Sequence, residues 1–306
     1  MPRKRKGRPV HGWINLDKPA GMSSAQAVGK VRRLFDAAKA GHAGTLDPLA
    51  TGVLPIALGE ATKAVPYVMA DEKTYRFTVR WGIATDTDDS EGHIVATSDI
   101  RPGRDAIVAI LQGFIGRIEQ TPPAYSALKI DGARAYDRAR NGETVALKPR
   151  QIIIERLDLV GQPDADHAVF EARVGKGTYI RSLARDFGRQ LGSFAHVTAL
   201  RRLAVGGFRA ERAISLEKLA AVGHSPTASE HLLSVETALD DIPALAVTAA
   251  EAASLRHGRS VTCADQALCR DLGEGTTIRA VNDDRLVAFA QIRDGGLRPI
   301  RVLNFD

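Results

Sequence analysis

Two spacings of apolar residues alternate along the chain. Ala27, Val28, Val31, Leu34 and Phe35 recur at helical intervals, and Ser23 with Gln26 three residues later forms a capping box that opens this helix and carries it to Leu34. Tyr75, Phe77, Val79 and Trp81 instead alternate with polar residues, the period of a strand with one buried face. Trp13 to Leu16, Gln151 to Val160, Val169 to Val174 and Val197 to Phe208 read as further strands, and Gly103 to Leu111 and Arg181 to Leu191 as further helices. Strands and helices intermix without a strict strand–helix–strand repeat. That predicts an α+β fold, with a mostly antiparallel mixed sheet and flanking helices.

Two stretches break the pattern. Ala124 to Arg150 is rich in Lys, Arg and Gly, and a short helix is predicted within it over Ala133 to Arg140, carrying Arg134, Arg138 and Arg140. This stretch reads equally as an exposed connection or as a mobile basic flap. Near the end, a helix from Thr248 to Arg256, stopped by Gly258, precedes three strands, Thr277 to Val281, Leu286 to Ile292 and Leu297 to Leu303. Turns at Asn282-Asp283-Asp284 and Arg293-Asp294-Gly295-Gly296 join them into a small β-barrel. The expected organisation is a basic tail over 1–9, a large domain over 10–245 containing the stretch 124–150, and a small β module over 246–306.

At 306 residues, 44% of them apolar and 25% charged, the chain can bury a sizeable core. It has no run of 18 apolar residues, and no apolar signal segment follows its basic start, so neither a membrane span nor secretion is expected. Cys263 and Cys269 fit no metal or disulfide framework, so a reducing cytoplasm is expected. The net charge is +6, and five of the six residues from Arg3 to Arg8 are basic, either a solvated tail or an arm for phosphates.

The candidate chemistry centres on Asp47, within Gly41-His42-Ala43-Gly44-Thr45-Leu46-Asp47-Pro48-Leu49-Ala50-Thr51-Gly52-Val53-Leu54. Pro48 stiffens the backbone after the acid and biases Asp47 away from helix. Gly41, Gly44 and Gly52 permit positive φ or close approach of another backbone. A surface turn and an acid presented to a substrate both fit this stretch taken alone. Other chemistries lack their parts. Asp86-x-Asp88-x-Ser90 resembles the start of a calcium loop, but Glu91 stands where glycine is needed and Thr97 where glutamate is needed. There is no phosphate loop around Gly175-Lys176-Gly177-Thr178, no H-E-x-x-H, no close cysteine pair and no G-x-S-x-G. Carboxylate, phenol and guanidinium groups remain.

The Asp47 stretch closely resembles the active-site motif of the bacterial tRNA pseudouridine synthase B (TruB) family. The resemblance continues in order through most of the chain: Asn15-Leu16-Asp17-Lys18-Pro19-Ala20-Gly21, Gly59-Glu60-Ala61-Thr62-Lys63, Lys73-Thr74-Tyr75, Thr85 to Gly92, Gln120 to Lys129, and Gly177-Thr178-Tyr179-Ile180-Arg181-Ser182-Leu183. It implies a pseudouridine synthase domain, a closing flap over 124–150 and an RNA-binding C-terminal module of the PUA type. It implies isomerisation of the uridine at tRNA position 55, in the T loop, with tRNA as partner, no cofactor, no membrane and no obligate protein partner, by a cytoplasmic monomer. Asp47 is then the essential acid, attacking ribose C1′ or taking a sugar proton, both of which are open. Tyr75 is a stacking platform for the flipped base and takes the C5 proton, and Arg181 pairs with Asp47. Tyr179 and Leu200 wall the uracil pocket. His42 fills the place the base leaves, Asp89 hydrogen-bonds within the recognised loop, and Lys18, Lys63 and Lys129 are candidate RNA contacts. Two other classes use some of the same residues. An RNA glycosidase would also use Asp47 but release free base, and an RNA-binding or folding factor would leave its target unmodified.

Overall fold

The structure, a computed structural model, describes residues 7–70, 72–126, 129–130, 133–134, 147–223, 226–237 and 239–305. Its centre is a ten-stranded mixed sheet. Along the sheet the strands run Ile214–Ser215, Gly12–Lys18, Thr51–Leu58, Ala195–Val205, Lys73–Trp81, His167–Val174, Arg150–Gly161 and Gly116–Gln120. Ala40–His42 pairs beside Thr51–Leu58, and Phe208–Arg209 beside Ala195–Val205. Neighbours are antiparallel except at two places, Gly12–Lys18 with Ile214–Ser215 and Thr51–Leu58 with Ala195–Val205. The α+β expectation holds, with a sheet that is mixed.

Alternation dictates which face is covered. In Lys73–Trp81 every odd position is buried, and Phe77 stacks on Phe170 of the neighbouring strand with ring centroids 5.4 Å apart. Phe170 in turn meets Phe187 of the helix Ile180–Gln190 at 5.1 Å. Burying each of these three rings contributes about 1.5–3 kcal/mol. The helix is thereby laid across one face of the sheet, where its first turn reaches the Asp47 segment. The predicted capping box at Ser23 and Gln26 opens the helix Ser24–Leu34, with both reciprocal hydrogen bonds formed.

The C-terminal segment forms a second, five-stranded sheet in the order Ala244–Ala246, Thr277–Asn282, Arg285–Arg293, Gly296–Val302, Val261–Thr262. Its two predicted turns carry the left-handed residues such hairpins need, Asp283 (φ 47°) with Asp284 (φ 59°), and Asp294 (φ 51°) with Gly295 (φ 70°). Leu286, Phe289 and Leu303 pack in one core with Trp13, Val53 and Val68, so this sheet is seated on the large one.

Three expectations change. The strand expected from Val197 to Phe208 ends at Val205, because Gly206 takes a left-handed φ and Phe208 folds back to pair with Val205. Ala133–Arg134, expected to open a helix, pairs instead with Lys129–Ile130 as a short ladder; the rest of that helix lies outside the described residues, as do most of the basic stretch and Arg3 to Lys6 of the tail. Cys263 and Cys269, expected to be unpaired, form a disulfide with Cα atoms 6.7 Å apart. The Asp265 side chain accepts from Leu268 N and caps the helix Gln266–Leu272, a turn that brings the two buried sulfurs together. No helix among the described residues is long and apolar enough to cross a membrane.

Candidate active site

Asp47 lies on the connection between Ala40–His42 and Thr51–Leu58, and that connection is held from three sides. Ser24, at the start of the first helix, exchanges two hydrogen bonds with the Leu46 backbone, at 2.8 and 3.0 Å. Lys18, fully buried, donates to the carbonyls of Pro19 (2.8 Å), Met22 (2.7 Å) and Pro48 (3.3 Å). Arg202, 1% exposed, donates to Val53 (2.7 Å), Gly44 (3.0 Å) and Thr45 (3.4 Å). Gly52 has φ +99°, and a Cβ there would stand 2.2 Å from the Arg202 carbonyl oxygen, so the close approach this glycine permits is to protein backbone.

Arg181 is the second residue of the helix Ile180–Gln190 and is buried, although residues at helix starts are commonly exposed. Its Nε donates to Asp47 Oδ2 at 2.9 Å and its Nη2 to Oδ1 at 3.1 Å, the two-point grip that a guanidinium makes on a carboxylate. The remaining donors reach Thr87 O and Tyr125 O, both at 2.9 Å. One side chain thus ties three segments together. Asp89 Oδ2 lies 3.5 Å behind Nε, and Asp89 Oδ1 accepts from Thr87 Oγ1 (2.6 Å) and Glu91 N (3.0 Å).

The Asp47 carboxylate stays 34% exposed and opens on a cavity of about 630 Å³. Tyr75, Leu200, Tyr179 and Arg202 line the same cavity. Tyr75 and Arg202 are register partners on adjacent strands, and Leu200 shares Arg202's face. Gln120, 1% exposed, clamps the Tyr179 backbone, accepting from its N–H at 2.8 Å and donating to its carbonyl at 3.1 Å. The Arg150 guanidinium sits 4.9 Å from the Tyr179 ring centre.

Of the expected site residues, the fold therefore gathers Asp47, Arg181, Tyr75, Tyr179 and Leu200 around one cavity. His42 is half-buried in its strand and does not line it; burial, with Arg202 nearby, lowers its pKa. Lys18, Lys63 and Asp89, expected to contact RNA, are engaged inside the protein. Lys63 Nζ donates to Glu60 and to Val302 O of the C-terminal sheet. Asp89 is 3% exposed and braces Arg181. The Lys129 side chain lies outside the described residues. Sequence reasoning missed Arg202 and Gln120. Nothing in its residue type marks Arg202; the signal available was that placing Leu200 in the pocket puts residue 202 on the same strand face.

Electrostatics follow from this packing. Burial lowers the Lys18 ammonium to about 8, with Asp47 and Glu91 pulling it back up. Burial raises Asp88 despite Arg185 at 2.9 Å, and raises Glu91, to which Asp89 and Asp47 add.

The fold and the sequence both have known counterparts. A chain in a solved Cbf5–Nop10–Gar1 complex matches 96% of this chain and 85% of its own length, with a TM-score of 0.72 and 25% identity. Residues 32–180 match the profile of the TruB family pseudouridylate synthase N-terminal domain, and residues 181–240 that of the tRNA pseudouridylate synthase B C-terminal domain. Proteins named tRNA pseudouridine synthase B are similar over nearly the whole chain: that of Bradyrhizobium diazoefficiens is 55% identical, covering 98% of this chain and 88% of the relative. That of Rhodospirillum rubrum is 51% identical over 99% and 100%. The class is that of pseudouridylate synthases, enzymes that isomerise uridine within RNA. Within that class, the chain belongs to the TruB family.

Proposed function

We propose that this chain converts the uridine at position 55, in the T loop of tRNA, into pseudouridine, with Asp47 as its essential acid. The observation that carries this reading is the Arg181 grip on both Asp47 oxygens at the mouth of a cavity lined by Tyr75 and Leu200. The names of its relatives point to tRNA as the substrate.

The reaction balances within the substrate. The bond from C1′ to N1 breaks, the uracil turns, and C1′ bonds to C5; C5 gives up a proton and N1 gains one. There is no net redox change, and no cofactor is required by the stoichiometry. Carboxylate attack on C1′ and removal of a sugar proton both start from a carboxylate fixed in direction, which Arg181 supplies. The uridine must leave a folded loop to reach this cavity, at a cost of about a few kcal/mol. Stacking on the Tyr75 ring offsets it by ~1–3 kcal/mol, and the Tyr75 phenol is placed in this reading to accept the C5 proton. Recognition reads the shape of the T arm and its extruded bases. Residues 10–245 carry the chemistry, with 124–150 closing over RNA, while 246–306, a PUA-like module, and the basic tail meet phosphates. Tyr179 and Leu200 wall the uracil. The enzyme works as a cytoplasmic monomer without an obligate protein partner.

The test is to incubate unmodified tRNA with the protein and map both pseudouridine and free uracil. Pseudouridine at position 55 without free uracil is expected, and Asp47→Asn should abolish it while leaving tRNA affinity within about a few-fold, since phosphate contacts dominate affinity. Free uracil would identify a glycosidase, and unmodified tRNA a binding or folding factor. Near-normal turnover by Asp47→Asn would overturn the assignment of the acid.

A further inference from the structure

The short helix Val65–Ala70 has two faces with different neighbours. Pro66, Met69 and Ala70 form part of the wall of the Asp47 cavity. Val68, fully buried, faces away into the core that contains Leu286, Phe289 and Leu303 of the C-terminal segment. The Tyr67 ring stacks on Phe289, with centroids 4.2 Å apart and planes 29° from parallel. The turn before this helix is tied to the same sheet. Glu60 accepts from Asn304 N at 2.8 Å and from Lys63, whose ammonium also donates to Val302 O at 2.6 Å. Beyond the helix, Lys73 Nζ donates to Met69 O at 2.7 Å, two residues before Tyr75 on the same strand. The run from Glu60 to Tyr75 therefore meets the C-terminal sheet at its start and middle, and the cavity from Pro66 onward.

We propose that Tyr67 and Phe289 are positioning residues for the isomerisation: the C-terminal sheet fixes the wall of the cavity and, through Met69 and Lys73, the start of the strand carrying Tyr75. The inference rests on the reading of that cavity as the uridine site. A six-residue helix does not hold its own place, because isolated helices this short are marginal and depend on tertiary packing. Here part of that packing comes from the other sheet, through the Tyr67–Phe289 stack and the core shared with Leu286 and Leu303. A module that only captured RNA would affect affinity; one that also fixes the wall affects the rate of the bound complex.

The experiment uses the full chain with unmodified tRNA and measures tRNA affinity by filter binding and the single-turnover rate at saturating enzyme. Phe289→Leu and Tyr67→Leu remove the stack, and Tyr67→Phe keeps both rings. A shift of an ångström can cost about 100-fold in rate, so each leucine variant should slow turnover by about 10- to 100-fold with affinity within about twofold, while Tyr67→Phe restores the wild-type rate. The double leucine variant should be no slower than the worse single one, as expected for two residues acting through one contact. Tyr67 is only half-buried, so its variant decides the matter if Phe289→Leu does not fold. Folded leucine variants with the wild-type rate, or with weakened affinity and an unchanged saturating rate, would overturn the proposal. A wild-type chain that makes no pseudouridine would overturn the functional reading instead.

Discussion

Replacing Arg181 by lysine keeps the positive charge and removes the fork. The guanidinium satisfies four acceptors at once, the two Asp47 oxygens at 2.9 and 3.1 Å and the carbonyls of Thr87 and Tyr125 at 2.9 Å. An ammonium carries its three donors on one atom and cannot span a carboxylate and carbonyls on two other segments. At least one Asp47 hydrogen bond is lost. A hydrogen bond to a charged group contributes about 1.5–3 kcal/mol, so Arg181→Lys should lower the single-turnover rate by about 10- to 150-fold. Arg181→Met leaves Asp47 without a cation. Breaking a buried pair costs about 3–5 kcal/mol. Because Asp47 is one-third exposed, the low end applies, a loss of about 100- to 200-fold or somewhat more. The assay is release of tritium from tRNA labelled at uridine C5, because the proposed reaction gives up that hydrogen, run at saturating enzyme with tRNA affinity measured in parallel. A lysine variant within about threefold of wild type, less than the ~1 kcal/mol of an average single hydrogen bond, would refute the idea that two-point support of Asp47 matters.

Three further outcomes follow from the same geometry. The folded pKa of Lys18 is lowered to about 8 from 10.5, so between these values the unfolded chain binds more protons and stability rises with pH, by about 3 kcal/mol in all; denaturant titrations of Lys18→Met should lack this rise, and identical pH profiles for the two proteins would refute it. Gly52→Ala puts a Cβ 2.2 Å from the Arg202 carbonyl at φ +99°, and strain plus overpacking should cost about 2–6 kcal/mol in equilibrium unfolding; a loss below about 1 kcal/mol would show that the strands separate easily. Tyr75→Phe keeps the ring, so it should bind tRNA normally and break the bond to N1, yet accumulate rearranged base before C5 loses its proton. Wild-type turnover by this variant would withdraw the proton-transfer role.

Patterns set by neighbours along the chain were legible in the sequence, and those set by distant partners were not. The capping box at Ser23 and the alternation from Tyr75 to Trp81 follow from local periods, and both elements form where expected. The grouping of Asp47, Tyr75 and Arg181 was readable only through resemblance, because no local rule joins residues 134 positions apart. The lysines show the limit of residue type. Lys18 and Lys63 look like any solvated lysine in one dimension, and their internal roles depend on carbonyls that the fold brings to them. Arg202 was hidden for the same reason: its acceptors lie about 150 positions earlier in the chain. The disulfide required a turn that spacing alone does not reveal.

The place of Ala195–Val205 in the large sheet has a consequence for how the protein is made. This strand lies between Thr51–Leu58 and Lys73–Trp81, both of which leave the ribosome well before it. At ~5–20 residues per second, the 121 residues from Trp81 to Arg202 take about 6–24 s to synthesise. Throughout that interval Thr51–Leu58 lacks a partner on one side, and Lys73–Trp81 lacks one on both sides until His167–Val174 is made and on one side thereafter. The Asp47 segment is then without Arg202, and until residue 181 is made it is without its other arginine as well. The nascent chain is therefore most exposed to misassociation in its first half, and the strand that closes the sheet is the one that finishes the cavity.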